Sequence, residues 1–133
     1  MRSGIFGVIT GILLACAAQA EPADIQATID QQLRAFEADD FDAAFTYASP
    51  NLQRLFQTPQ NFERMVTQGY PMVWRYSGFR FLELREQGGA LWQRVMITDD
   101  KGAIHILDYR MLETPEGWRI NGVQILDSSE MNA

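Results

Sequence analysis

Cysteine is almost missing from this chain, with Cys16 the only one. No disulfide framework is available, so a folded domain has to be held by its core. Histidine is equally scarce: His105 stands alone. One imidazole and scattered carboxylates make no recognisable metal constellation, so no metal is expected. Glycine-rich phosphate loops are missing too, since Gly88-Gly89 reads as a hairpin turn. No G-x-S-x-G elbow occurs, and nothing in the chain asks for a cofactor. Basic clusters are also lacking, which argues against nucleic acid as a partner.

A long apolar run is present only at the N-terminus. Met1-Arg2-Ser3 carries one positive charge, and residues 4–18 carry none. That run of 15 residues falls short of the ~20 needed to span a bilayer. Ala18-Gln19-Ala20 follows with the small-x-small pattern that a signal peptidase accepts. Residues 1–20 therefore read as a secretory signal peptide cut after Ala20, giving a periplasmic or secreted product with no transmembrane segment. A second route is open. Leu13-Leu14-Ala15-Cys16 loosely resembles a lipobox, which would anchor the chain by lipid on Cys16.

The remaining 113 residues suit one domain. Without Arg2 they hold 10 basic and 17 acidic side chains, a net charge of −7. Such acidity favours solubility. Ile25, Ile29, Leu33 and Phe36 recur on one helical face, with Asp24 placed to cap the start. Asp40 can cap a second helix whose apolar face is Phe41, Ala44, Phe45 and Ala48. Ser49-Pro50 and Thr58-Pro59 each place a capping residue before a proline suited to a first helical turn. The first opens a short helix through Leu52, Leu55 and Phe56. The second opens a helix carrying Phe62, Met65 and Val66 and ending at Gly69, read as a left-handed cap.

Past Gly69-Tyr70-Pro71 the period changes. Strands are expected over residues 79–85, 91–98, 103–113 and 118–126, and Met72-Val73-Trp74 offers a short edge strand. Gly88-Gly89, Asp99-Asp100-Lys101-Gly102 and Pro115-Glu116-Gly117 mark tight turns, so the strands form an antiparallel meander. The fold class is α+β: N-terminal helices packed on a curved four- to five-stranded antiparallel sheet, over residues 21–126. Residues 127–133 read as a polar tail. Both sheet faces carry apolar side chains, Leu91, Val95 and Ile97 on one and Trp92 and Met96 on the other. The open face is thus expected to be either partly exposed or covered by a second copy in a homodimer.

The order of helices followed by a strand meander resembles the nuclear transport factor 2-like (ketosteroid-isomerase-like, cystatin-like fold) superfamily. Ala38-Asp39-Asp40-Phe41-Asp42-Ala43-Ala44-Phe45 is similar to its first interhelical segment, and Pro115-Glu116-Gly117-Trp118-Arg119-Ile120 to its last turn and strand. Ala48-Ser49-Pro50, Gly69-Tyr70-Pro71 and Trp118-Arg119-Ile120-Asn121-Gly122 together resemble one family of secreted bacterial proteins that is a domain of unknown function. The likeness covers roughly residues 24–123. It implies a cone with a cavity between sheet and helices, and it supplies no activity, since this fold hosts both enzymes and binders.

Candidate chemistry is sparse. His105 shares a strand face with Leu107, Tyr109 and Met111, while Asp108 and Arg110 point the other way, so His105 and Asp108 make no ready dyad. Enzymes of the resembled superfamily use an Asp base with tyrosine and acid donors. Asp108 is the nearest analogue of that base, but no motif maps onto the site residue by residue. Asp39, Asp40, Asp42, Asp99 and Asp100 read as capping, turn and surface residues. The best binding set is aromatic and arginine-bearing: Tyr70, Trp74, Tyr109 and Arg94 as pocket residues. The leading reading is a non-catalytic exported domain that binds a small amphipathic ligand or an envelope protein. The alternatives are a proton-transfer or hydration enzyme using Asp108 or His105, and an assembly module dimerising through the open sheet face.

Overall fold

The computed structural model describes residues 22–126. Residues 1–21, with the expected signal peptide and its Ala20 and Cys16, and the expected 127–133 tail lie outside the described residues. Among the described residues five helices precede four strands: α1 (Pro22–Glu37), α2 (Phe41–Thr46), α3 (Pro50–Phe56), α4 (Pro59–Gly69), α5 (Pro71–Trp74), β1 (Tyr76–Gln87), β2 (Ala90–Asp99), β3 (Ile104–Thr114) and β4 (Gly117–Leu126). The class is α+β, an order consistent with the nuclear transport factor 2-like arrangement.

Local chemistry accounts for most boundaries. Helix α1 buries Ile25, Ile29, Leu33 and Phe36, all at most 2% exposed, which is the expected stripe. It begins at Pro22, so Asp24 sits inside the first turn and not at the cap. Its other end is a Schellman closure: Asp39 takes a φ of 57°, its N–H donates to Phe36 O, and the Asp40 N–H reaches back to Ala35 O. Asp40 then caps α2 by accepting from the Ala43 N–H. Ser49 and Thr58 cap α3 and α4 in the same way, each followed by proline.

The segment at residues 69–74 differs from expectation in two ways. Gly69 is the last residue of α4 and adopts no left-handed conformation; the cap is Tyr70, at φ −134° and ψ 52°. The cause is Pro71, whose ring excludes the preceding residue from helical geometry, so the helix stops without help from glycine. Met72-Val73-Trp74 is not an edge strand. Pro71 fits a first helical position and these residues form the single turn α5, burying Met72 and Val73.

The sheet therefore has four strands, in the order β1-β2-β3-β4, every neighbour antiparallel. Gly88 and Gly89, at φ 61° and 78°, supply the two left-handed residues of the tight β1–β2 turn. Register shifts between Phe81 and Leu84 and between Tyr109 and Met111 mark bulges, which bend and twist the ribbon. The face formed by Val95, Ile97, Leu107, Tyr109, Met111 and Ile120 packs on the helices. Phe62 sits centrally in an aromatic cluster, with ring centroids 5.2–5.9 Å from Phe36, Phe45 and Phe56.

Candidate functional site

A mainly apolar cavity of about 290 Å³ lies between helices and sheet. Helix α4 supplies Phe62, Met65 and Val66, whose i, i+3, i+4 spacing turns all three toward one side. Leu52 and Phe56 come from α3, Gln32 and Phe36 from α1, and Val73 from α5. The sheet contributes Tyr109 from β3 and Ile120, Gly122 and Val123 from β4. Gly122, at φ 147°, belongs to the β4 side of the bulge opposite Tyr109 and Met111. Tyr70 completes the wall from the α4–α5 junction.

Three polar side chains reach this cavity. The Gln32 amide nitrogen donates to Ala44 O at 3.2 Å, tying α1 to α2. The Tyr70 hydroxyl donates to Val123 O at 3.0 Å, tying the α4–α5 junction to β4. Tyr109 is 1% exposed, and among the described residues its hydroxyl takes no hydrogen-bond partner. Burial, with a smaller contribution from Tyr70, pushes the Tyr109 phenol well above its ordinary ionisation range. A neutral hydroxyl set in an apolar wall can donate to, or accept from, a ligand that fills the space.

The structure brings Tyr70 and Tyr109 together and places Trp74 and Arg94 elsewhere. The Trp74 indole N–H donates to Asp39 at 2.8 Å, and the Arg75 guanidinium lies 4.2 Å over its ring. Arg75 also donates to Asp39, so one aspartate at the end of α1 anchors the residues that lead into β1. Trp74 and Arg75 together hold the Asp39 carboxyl below the usual carboxylate range. Arg94 is on the sheet face away from the helices. It stands 3.6 Å from Asp108 and 3.5 Å from Glu83, and its buried Nε has no partner.

Asp108 and His105 do not line the cavity. Asp108 is buried on the outer face, where it accepts from both terminal nitrogens of Arg85. His105 Nε2 meets Asp99 at 2.8 Å across the β2–β3 turn, a separation of six residues and not the three that divide it from Asp108. Asp99 also accepts the Lys101 and Ala103 N–H groups. These three contacts, His105 foremost, lower its pKa to about 2. Neither carboxylate approaches Tyr70 or Tyr109 with a hydrogen bond. Among the described residues no three His, Cys, Asp or Glu side chains gather to hold a metal, and no helix is long and apolar enough to cross a membrane.

Sequence reasoning left out Gln32, although a signal existed. It follows Ile25 by seven residues and so falls on the buried stripe. The Arg85–Asp108 and Asp39–Trp74 contacts carried no such signal, because each joins positions more than 20 residues apart.

Fold and cavity define an α+β domain with an apolar space between its helices and its sheet. A family model described as a domain of unknown function (DUF4864) matches residues 18–133, and the chain belongs to that family. Comparison with curated proteins finds no match.

Proposed function

We propose that this chain is an exported, non-catalytic binding domain of nuclear transport factor 2-like type, and that its helix–sheet cavity receives one small amphipathic molecule. The observation that carries this is the pairing of an apolar space of about 290 Å³ with the almost fully buried Tyr109 at its wall, whose hydroxyl takes no hydrogen-bond partner among the described residues. Ligand sites combine an apolar lining with a few placed polar groups, and this volume lies near the low end of the ~300–1,000 Å³ seen for them. The ligand is accordingly small, with an apolar body against Phe62 and Val66 and one polar group at Tyr109. Two features favour binding over catalysis. Asp108 is saturated by arginine on the opposite face, and His105 is engaged by Asp99 at the sheet end. A base within reach of a bound substrate is the first requirement for proton transfer.

Native mass spectrometry of the full-length chain expressed for export tests this reading. The protein is expected to begin at Glu21 and to release one low-mass species on denaturation. Val66→Phe fills the cavity and is expected to lose that species. Tyr109→Phe keeps the shape and is expected to retain it at reduced occupancy. Absence of any bound species, or equal occupancy in wild type and Val66→Phe, would overturn the binding reading. A mature chain beginning at lipid-modified Cys16 would replace the secreted product by an anchored one.

A further inference from the structure

The outer sheet face has a charge opposite to that of the molecule. Strand alternation and register place Arg80, Arg85, Arg94, Arg110 and Arg119 on the side away from Val95, Leu107 and Tyr109. These are five of the chain's eleven basic residues, in a protein of net charge −6. Among the described residues only Glu83 and Asp108 form ion pairs with them. Asp108 is shared by Arg85 and Arg94, and Glu83 stands 3.5 Å from Arg94. Among the described residues, Arg80, Arg110 and Arg119 have no carboxylate partner. With seventeen acids in the sequence, three arginines left without one, spread along a single face from the Met96 row to the Leu112 row, leave that face net positive.

The face also has apolar contact surface. Arg85, Trp92 and Arg110 are cross-strand neighbours, with the Arg110 guanidinium carbon 6.0 Å from the Trp92 ring centroid. Met96 lies in the next-but-one row, between Arg80 and Ile106. A shallow groove of about 380 Å³ runs past Arg85, Trp92, Asp108 and Arg110. Every cation here is arginine; the only lysine, Lys101, is in the β2–β3 turn. Arginine, tryptophan and methionine are the residues enriched at protein interfaces, while lysine is depleted.

We infer that this face docks an acidic segment of a partner protein, with carboxylates set against Arg80, Arg110 and Arg119 and an apolar residue against Trp92. An anionic membrane fits less well, because the net negative charge of the whole domain opposes approach to a negative surface. A second copy stacked face to face also fits less well. A two-fold contact would set five arginines against five, and like charges directly opposed destabilise. The inference rests on the outer face alone and is independent of what fills the cavity.

The test titrates the domain, by heteronuclear NMR and fluorescence anisotropy, with a labelled octapeptide of alternating glutamate and leucine. Saturable binding is expected, with shifts confined to Trp92, Met96, Arg110 and their neighbours. Raising salt from about 50 to about 200 mM should weaken it at least tenfold, since exposed charge pairs are screened. Arg80→Glu/Arg110→Glu/Arg119→Glu, checked for native circular dichroism, should weaken it at least tenfold; Arg54→Glu/Arg64→Glu, on the helices, should leave it unchanged. Three results would overturn the inference. They are no binding of the peptide, peptide shifts lying on the helices, or a homodimer in sedimentation that the triple variant breaks. Binding to phosphatidylglycerol vesicles with no binding to the peptide would assign the face to a membrane instead.

Discussion

Arg85 and Asp108, on strands β1 and β3, form a two-pronged ion pair that spans β2, with N–O distances of 3.0 and 2.5 Å. Asp108 is 2% exposed and the Arg85 side chain 28%. Arg94 closes on the same carboxylate from β2 at 3.6 Å. The pair raises the Arg85 pKa further above its already high value. Three strands are thus clamped through one aspartate on the face away from the helices. Asp108→Ala is expected to lower stability by about 3 kcal/mol in urea denaturation, because it strands two arginines in a half-buried site. The loss comes without any change in cavity occupancy. A change below 1 kcal/mol would show the clamp to be a surface pair of little weight.

Asp39 combines a left-handed backbone with hydrogen bonds to Trp74 and Arg75. Asp39→Ala and Asp39→Gly remove the same side-chain bonds, but only glycine keeps φ 57° without strain. Asp39→Ala is expected to unfold at lower urea than Asp39→Gly, by about 1 kcal/mol. Equal stability of the two would mean that the side chain and not the turn carries the effect.

Ser49 is fully buried where α3 meets β4. Its hydroxyl accepts the Leu52 N–H and donates to Asn121 at 2.6 Å, while its own N–H donates to Ile120 O. Ser49→Ala is expected to cost about 1–2 kcal/mol, the loss of an N-cap together with a buried hydrogen bond. Ser49→Thr should recover most of the loss if the hydroxyl is responsible. Thermal melts of both variants measure this.

Acid stability should depend on Asp99. Its pKa is lowered from 3.8 to about 2 in the folded protein, so the unfolded chain binds the proton first as pH falls. The stabilisation is complete above about pH 4 and disappears as pH falls through about 2. Asp99→Asn keeps an oxygen to accept the Lys101 and Ala103 N–H groups but removes the charge. Its urea midpoint should fall less steeply than that of wild type between pH 4 and pH 2. Parallel curves would assign the acid limb to other carboxylates.

At high pH the order of protonation reverses. Burial raises the Tyr109 pKa above its ordinary 10.0 and holds Tyr76 at about 12, the latter with help from Glu37. Above pH 10 the unfolded tyrosines lose protons that the folded ones retain, so stability declines with rising pH. Tyr109→Phe should flatten that decline between pH 10 and pH 12 in circular-dichroism melts, and a slope equal to wild type would remove Tyr109 from the account.

The helices and turns were legible in the chain because their signals are local. The Ile25, Ile29, Leu33, Phe36 stripe, the caps at Asp40, Ser49 and Thr58, and the Gly88-Gly89 hairpin each act within one or two turns of backbone. Strand ends were less so. β1 starts at Tyr76 and runs to Gln87, beyond the expected 79–85, because pairing with β2 extends it past its apolar centre. Of the four expected pocket residues, two aromatics with the same local character parted. Tyr70 faces the cavity, while Trp74 turns to Asp39.

Sequence alone determined the α+β class, the meander and the buried faces of α1 and α4, since hydrophobic period and turn chemistry act over a few residues. Helix α3, by contrast, buries no residue fully and leaves Leu55, expected on its apolar face, 69% exposed. Tertiary structure decided what those elements enclose and expose. It alone set Tyr109 against an open apolar space, turned Asp108 outward to Arg85, joined Asp39 to Trp74, and gathered five arginines on one face. Each of these outcomes depends on strand register and packing angle between distant segments, and a one-residue change of register would send every strand side chain to the other face.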